Sequence, residues 1–429
     1  MSIRQLLLLA SLLLSATAQA QTAAAAPLPV SLQQALQAAQ DNLDVVLARR
    51  TLAGAQADIT SADRAPFPAL SASVSQIDLQ NGNGSGNLLH ERTVDKSVGL
   101  DWTWERGNKR ELRTRAAQRA ADAVQADLDE TSIQQKVFAL TGFYDLLAAQ
   151  ERVAEVTQIE RSAAELARIA ARRLQAGDLS AQETARTEIE AQRARSDLRL
   201  AELEQQRAAL LLWQLTSLGG APGQLQARPD WPALPGGSLN AVAALDELIE
   251  ARADVRAARA RVQATQAALD NSSAQKKSDI TWGVSYDHYP GTSTALVALR
   301  MSMPLQWGYG YEGEIGRASA QLAQAQDALE KTRRLARLEL QRLQHELQST
   351  AARTEAYEAE ILPRARRVAE GAELAYRKGA LSLTDLLDAR RTLRATVLEA
   401  VAARSEHAKT LGVWQLRTGQ TLTAAAGTP

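Results

Sequence analysis

The chain has 429 residues, 23% of them charged, and its 49 lysine and arginine side chains balance 49 aspartates and glutamates. This balance argues against nucleic acid or another polyanion as a partner. With no cysteine and only four histidines, we expect no disulfide, no thioether-linked lipid, no metal site and no cofactor. The aromatic content of 4% is low for a large globular core and favours long helices that pack laterally.

The N-terminus has the pattern of a secretory signal peptide. Arg4 precedes an apolar run over residues 6–14, and a small-x-small cleavage site ends at Ala20. The run is too short to span a bilayer, and no later segment reaches the roughly 18 continuous apolar residues of a transmembrane helix. We therefore predict that residues 1–20 are removed and that the mature chain is exported.

The sequence repeats one pattern about 200 residues apart. A helix, two alternating strands, a very long helix, a tight turn and a shorter helix are predicted in residues 21–217 and again in residues 239–418. The first of these helices is predicted over residues 31–64. A linker rich in glycine and proline, 218–238, separates the copies, and residues 419–429 are expected to form a mobile tail. A repeat in fixed order indicates duplication.

The clearest part of the repeat is the tight turn. Its residues recur 202 positions later in the same order, where Gly177, Leu179, Ser180 and Glu183 correspond to Gly379, Leu381, Ser382 and Asp385. Each turn follows a predicted helix, over residues 107–174 or 311–378, and such a helix would be about 100 Å long at 1.5 Å per residue. We expect Pro363 to kink the second of these helices.

Between the helices the apolar residues recur with period two, which is typical of strands with one apolar and one polar face. The strand pairs are predicted in residues 70–105 and 280–306, and the first pair is expected to have a glycine-rich turn longer by eight residues. Strand propensity alone could explain the aromatic residues here. A lipid-facing wall with an aromatic girdle explains them better, and we predict that the girdle contains Trp102, Trp104, Trp282, Tyr286, Trp307 and Tyr309.

Four strands are too few to close a membrane barrel within one chain, because single-chain barrels begin at about eight strands. Unpaired strand edges cannot face lipid, since their backbone groups would lack hydrogen-bond partners. We therefore expect the barrel to be assembled from several chains, and four strands from each of three protomers would give twelve.

With this order of elements and both turns, the chain resembles the TolC family of outer-membrane efflux and secretion channels from about Leu28 to about Gln415. Residues 104–110, Trp-Glu-Arg-Gly-Asn-Lys-Arg, are similar to a pattern of the heavy-metal-exporting branch. The resemblance implies a mainly α fold with a membrane β-barrel, in which duplicated helical hairpins form a periplasmic α-barrel. It implies a homotrimer in which each protomer contributes four strands to a twelve-stranded barrel in outer-membrane lipid. It also implies a passive conduit that works with a periplasmic adaptor protein and, through it, an inner-membrane transporter.

The resemblance places both tight turns at the periplasmic entrance, where adaptors dock on tips that contain Gly177, Leu179, Ser180, Gly379, Leu381 and Ser382. Asp385 and Asp388 match acidic positions that ring the closed entrance, and Tyr376 and Glu183 match a pair that holds it shut. Leu381 stands where the family often has arginine, so one closing contact is expected to be absent. The competing interpretation is that Asp385 and Asp388 are ordinary solvated acids near a helix start.

No phosphate-binding loop, histidine-based dyad or metal-ligand spacing indicates an enzyme. An exit duct for type I protein secretion remains an alternative function within the same family. A periplasmic coiled-coil scaffold or adaptor without a pore is the main alternative of another class. The sequence leaves open whether the cargo is a metal, a drug or a protein.

Overall fold

The computed structural model describes residues 28–87, 93–220, 223–233 and 245–420. The predicted signal peptide and the predicted tail beyond Gln420 lie outside these residues. In the described part of the chain, no helix combines the length and the apolar character that crossing a membrane requires. The chain divides into two compact units: the first contains Met1–Val46, Ser132–Leu245 and Leu338–Pro429, and the second contains Leu47–Thr131 and Asp246–Arg337.

Long helices dominate the described chain. The helices are α1 (Leu32–Ala38), α2 (Leu43–Ala62), α3 (Lys109–Gln175), α4 (Ala181–Thr216), α5 (Leu245–Ala251), α6 (Ala253–Ala274), α7 (Glu312–Glu355), α8 (Leu362–Arg377) and α9 (Leu383–Thr418). The strands are β1 (Leu28–Val30), β2 (Ala69–Ser75), β3 (Asp95–Trp104), β4 (Leu225–Ala227), β5 (Ile280–Tyr289) and β6 (Ser293–Ser302). The very long helix predicted over residues 107–174 is confirmed, since α3 contains 67 residues.

The prediction of one helix over residues 31–64 is wrong, because the chain leaves the helical conformation at Asn42. The backbone of Asn42 has φ −58° and ψ 146°. Its side-chain oxygen accepts a hydrogen bond from the Asp44 N–H at 2.9 Å, and its amide nitrogen donates to the Leu215 carbonyl at 2.8 Å. Asn42 therefore ends the first segment and caps α2. Its position inside an otherwise helical pattern hid this break.

The regular α-helix is interrupted just before Pro363, whereas the kink predicted at this residue stays a prediction. A π-helical turn, Ala356–Ile361, separates α7 from α8, and Pro363 lies in the first turn of α8. Proline has no N–H to donate to the preceding turn, so the hydrogen-bond pattern of α7 cannot continue unchanged through this position.

The segment predicted as a linker contains a strand that the sequence analysis missed. Within the first unit, β4 pairs in parallel with β1, with Pro29 opposite Gln226. Each strand has three residues and no alternating pattern long enough to detect. The core next to this pair is made of buried residues of α3, α4 and α9, among them Leu140, Phe143, Leu146, Leu212 and Ala408.

The second unit contains one antiparallel sheet with the strand order β2-β3-β5-β6. The two predicted strand pairs are thus neighbours, joined through β3 and β5, and β2 and β6 form the edges. The connection between β2 and β3 spans residues 76–94, of which 88–92 are not described, whereas residues 290–292 connect β5 to β6. The difference exceeds the eight residues predicted, because β2 already ends at Ser75.

Candidate functional site

One face of the antiparallel sheet consists of exposed apolar side chains. Trp102 of β3 lies opposite Trp282 of β5, which in turn lies opposite Met301 of β6. Trp102 is 60% exposed and Trp282 is 49% exposed. Leu100, Val284 and Leu299 form the next row of register partners on this face. An apolar face of this size that is exposed in one protomer indicates contact with lipid or with another chain.

The opposite face of the sheet is polar. Arg300 of β6 forms an ion pair with Asp101 of β3, with Nη2 and Oδ1 2.5 Å apart. Asp287 is only 4% exposed and accepts hydrogen bonds from the hydroxyls of Ser97 and Ser285. Each strand therefore separates apolar from polar side chains, as the period of two predicted.

The six residues of the predicted girdle do not lie at one level of the sheet. Trp102 and Trp282 are direct register partners, with Trp104 two residues farther along β3. Tyr286 is four residues from Trp282 on β5, about 13 Å along the strand. Trp307 and Tyr309 lie beyond the end of β6, where Trp307 is 87% exposed. The aromatic girdle itself stays a prediction.

The conspicuous motif at residues 104–110 joins the sheet to the helices within the second unit. Glu105 forms an ion pair with Arg113 at 2.6 Å, and the Arg113 guanidinium also donates to the carbonyls of Ala62 and Arg64. Lys109 is buried and binds Asp279, the residue before β5, at 2.8 Å. The motif does not identify these two partners. Arg113 lies three residues after it, and Asp279 is distant in sequence.

Both tight turns of the first unit have the same backbone conformation. Gly177 and Gly379 have φ of +81° and +75°, in the left-handed region that glycine adopts without strain. In each turn, the residue after the glycine donates its N–H to a carbonyl five residues earlier, which is the Schellman pattern of helix ends. Ser180 and Ser382 then cap α4 and α9. The predicted equivalence of the turns is thus confirmed in their geometry.

Two of the four predicted gate residues bond to the helix-capping serines in this protomer. Glu183 accepts hydrogen bonds from the Ser180 hydroxyl at 2.8 Å and the Ser180 N–H at 3.2 Å. These bonds lower the pKa of the Glu183 carboxyl below its usual range. Asp385 accepts a hydrogen bond from the Ser382 hydroxyl at 2.7 Å. Both acids therefore have a local structural role.

The other two predicted gate residues lie apart from these caps. Tyr376 packs against the apolar cluster of Leu166, Leu383, Leu386 and Leu387. Within the described residues of one protomer, no hydrogen bond joins Tyr376 to Glu183. Asp388 is exposed and lies 3.4 Å from Arg391, which is also 3.5 Å from Glu190 of α4. Among the described residues of one chain, no hydrogen bond joins any two of the four, and their role as a gate stays a prediction.

Arginines of α9 that the sequence analysis did not single out bind the neighbouring helices. Arg390 pairs with Glu373 of α8 at 2.5 Å and donates to the Ser162 carbonyl of α3 at 3.2 Å. Arg394 pairs with Asp197 of α4 at 2.5 Å. Arg390 and Arg394 also line a cavity of about 210 Å³ between these helices. The spacing of charged residues at every third or fourth position was the available sequence signal for these contacts. It did not distinguish them, because a solvated helix face has the same spacing.

Among the described residues, no group of three or more histidine, cysteine, aspartate or glutamate side chains is arranged to hold a metal ion. The acids of the sheet and of the turns are engaged by hydroxyls, backbone groups or single arginines. These arrangements suit a wall or a mouth that carries charge and do not form a chelating centre.

The sequence is similar to known efflux proteins. The model of the family described as outer membrane efflux protein matches residues 244–412. The cobalt-zinc-cadmium resistance protein CzcC of Cupriavidus metallidurans is 26% identical over 373 residues, which cover 85% of this chain and 84% of CzcC.

Solved structures share the fold over most of its length. A membrane protein from Pseudomonas aeruginosa superposes with a TM-score of 0.75 at 19% identity, covering 90% of this chain and 93% of that protein. The CmeC outer membrane channel of Campylobacter jejuni gives a TM-score of 0.73 at 16% identity, with 90% and 85% covered. The chain thus matches the outer membrane efflux protein family over residues 244–412, shares the fold of solved outer-membrane channels, and is located in the outer membrane with a periplasmic portion.

Proposed function

We propose that this channel is the outer-membrane component of a tripartite efflux pump that exports heavy-metal cations. The observation that carries the cargo class is the similarity to the cobalt-zinc-cadmium resistance protein CzcC across 85% of the chain. The channel itself would be a passive conduit, and an inner-membrane transporter would supply the energy and choose the cargo.

The free edges and exposed face of the sheet support assembly as a homotrimer. In one protomer β2 and β6 each have only one neighbouring strand. The strands alternate in direction from β2 to β6, so β6 of one copy and β2 of the next would also pair antiparallel. Three copies would then close twelve strands with the apolar face toward lipid, which removes every edge.

The two tight turns are the surfaces that we assign to the periplasmic adaptor. Gly177 and Gly379 are exposed, as are the serines that follow them, and both turns present the same backbone conformation. An adaptor could therefore recognise two equivalent sites on each protomer. In this proposal Asp385 and Asp388, with Tyr376 and Glu183, form the gate at the same end of the conduit.

Metal tolerance of cells that lack the gene tests the cargo. We expect the deletion strain to lose growth in elevated cobalt, zinc or cadmium and to regain it with the unaltered gene. A variant with both turns replaced by unrelated loops should be inserted in the membrane and fail to restore growth. Sensitivity only to organic drugs, or loss only of a secreted protein, would contradict the metal cargo and favour the corresponding other substrate class.

A further inference from the structure

An ion pair spans three strands on the polar face of the sheet. Asp101 of β3, Gly283 of β5 and Arg300 of β6 are consecutive register partners. Arg300 Nη2 lies 2.5 Å from Asp101 Oδ1, so the arginine reaches over the middle strand. Neighbouring strands are about 4.8 Å apart, and the pair therefore bridges about 10 Å of sheet.

Gly283 is the residue that makes this bridge possible. A Cβ at this position would lie 2.5 Å from Asp101 Oδ1 and 3.2 Å from Arg300 Nη2. Any side chain would thus displace the ion pair from its path across β5. Glycine in the interior of a strand weakens the strand, so its presence here indicates a need for close approach.

The remaining charges of the polar face are acidic. Within the four strands, all of which are described, this face carries the carboxylates of Asp95, Asp101 and Asp287 and the single basic side chain of Arg300. Arg300 lies directly against one of the three acids. Replacing Arg300 therefore makes the net charge of this face more negative, and replacing Asp101 makes it less negative.

We propose that Asp101 and Arg300 are specificity-determining residues that set how strongly the membrane section of the pore prefers cations to anions. The inference rests on the proposed trimeric barrel, in which the apolar face contacts lipid and the polar face lines the water-filled interior. Three copies would place three bridged pairs, with Asp95 and Asp287 of each protomer, around that interior. Charged rings of this kind select ions while binding them weakly enough for release.

The two residues act with opposite sign. Removing the charge of Arg300 leaves Asp101 uncompensated and strengthens the preference for cations. Removing the charge of Asp101 leaves Arg300 uncompensated and weakens it. Exchanging the two residues keeps both the net charge and the bridge over Gly283, so the exchange should restore the selectivity of the unaltered channel.

Reversal potentials of full-length protein in planar bilayers, under a potassium chloride gradient, measure the cation-over-anion permeability ratio. At a salt concentration near 0.1 M, we expect Arg300→Gln to raise this ratio about twofold and Asp101→Asn to lower it by about the same factor. The double variant Asp101→Arg with Arg300→Asp should match the unaltered channel. The differences should shrink near 1 M salt, where the screening length falls to about 3 Å.

Lys96→Gln is the matched control, because Lys96 lies on the apolar face of β3. It removes the same charge as Arg300→Gln and should leave the permeability ratio unchanged. If both single variants form channels with the unaltered ratio, the inference is wrong. If Lys96→Gln shifts the ratio and Arg300→Gln does not, the proposed orientation of the barrel wall is wrong as well. Absence of conductance from the unaltered protein would overturn the proposed pore itself.

Discussion

Ser382 and Asp385 bond to each other twice at the start of α9. The Ser382 hydroxyl donates to the Asp385 carboxylate at 2.7 Å, and the Asp385 N–H donates to the Ser382 oxygen at 3.2 Å. Ser180 and Glu183 do the same at the start of α4. An acid that was predicted from its position to be a gate residue therefore also stabilises its own helix, and the two roles have to be separated by experiment.

Replacing Asp385 and Asp388 with asparagine separates the two roles. Asparagine keeps a side-chain oxygen for the bond with Ser382 and removes the charge. If these acids ring the mouth of a trimer, the double variant should lose at least about tenfold in affinity for blocking divalent cations, equivalent to about 1.4 kcal/mol. Single-channel recordings with increasing divalent cation measure the effect.

The alanine variant and the first turn provide the comparison. Asp385→Ala should also lower helix stability by about 1 kcal/mol, because the hydrogen bond that the Ser382 hydroxyl donates to the carboxylate is lost. Glu183→Gln changes an acid that is assigned to the pair holding the gate shut and not to the acidic ring, so it should leave the affinity for the blocking cation unchanged. A double asparagine variant that conducts and is blocked like the unaltered channel would show that both acids are solvated surface groups.

Trp231 fastens the segment after β4 to the helices of the first unit. Its Nε1 donates to Glu151 Oε1 at 2.6 Å, its ring stacks on Tyr144 at 5.7 Å, and the Arg404 guanidinium lies 5.7 Å from its ring centre. Trp231→Phe keeps an aromatic ring and loses the bond to a charged acceptor. We expect it to cost about 1.5 kcal/mol, and Trp231→Ala to cost more.

Denaturant unfolding of the detergent-solubilised protein, followed by far-ultraviolet circular dichroism, gives both values. Trp307→Phe is the control, since the Trp307 side chain is 87% exposed and should tolerate the change without loss of stability. Equal unfolding midpoints for Trp231→Phe and Trp307→Phe would contradict the role assigned to the Trp231 bond.

We predict that His407 makes the stability of the first unit depend on pH. Burial lowers the pKa of His407, against a smaller opposing effect of Glu358, and its Nε2 lacks a hydrogen-bond partner among the described residues. The folded chain thus binds a proton on this ring less readily than the unfolded chain, whose histidine pKa is about 6.5. Stability contributed by the neutral ring should be present above that value and decline as the pH falls through it.

His407→Gln should therefore reduce the fall in melting temperature between about pH 7.5 and pH 5.5. His345→Gln is the matched control, because His345 lies exposed on α7 and should leave the pH dependence as it is. Thermal melts at several pH values compare the three proteins. A pH dependence that is the same with and without His407 would contradict this assignment.

The large elements could be predicted because they repeat and have regular periods. The period of two in residues 95–104 and 280–289 correctly indicated strands with one apolar face, and the long helical pattern gave α3 almost to the residue. Duplication helped further, since Gly177 and Gly379 could be compared with each other. Each was recognisable as a helix end because only glycine adopts the required φ readily.

What could not be predicted depends on contacts between distant residues. Asn42 breaks a helix by bonding to Leu215, and the pairing of β1 with β4 involves strands of three residues. The two strand pairs join through β3 and β5, and the sequence of neither pair shows which of its strands contacts the other pair. The ion pair between Arg300 and Asp101 can likewise be recognised only when the register of three strands is known. The role of Gly283 beneath it could therefore not be predicted from the sequence.

The candidate gate illustrates the limit for function. Position in the repeat correctly indicated that residues 376–388 surround a tight turn. Position alone did not indicate that Asp385 and Glu183 bond to the serines beside them, although an acid three residues after a serine is a sequence signature of a helix start. Residue type and spacing therefore located the turn and left the role of its acids as a prediction.

Pairing between β6 of one protomer and β2 of the next tests the central claim most directly. The chain contains no cysteine, so one cysteine placed on each edge strand gives an unambiguous crosslink. Cysteines at Ala298 and, in turn, at Ser71, Ser73 and Ser75 cover the possible registers on the polar face. Oxidation in intact outer membranes, followed by denaturing electrophoresis under non-reducing conditions, measures the number of linked chains.

We predict that at least one pair of positions gives covalent species that end at three linked chains, and that either single cysteine alone gives no species beyond a dimer. Closure of a ring of three explains why the series stops there. Crosslinks that continue beyond three chains, or monomers at every register with the protein correctly inserted, would contradict the account of a trimeric channel closed through β2 and β6.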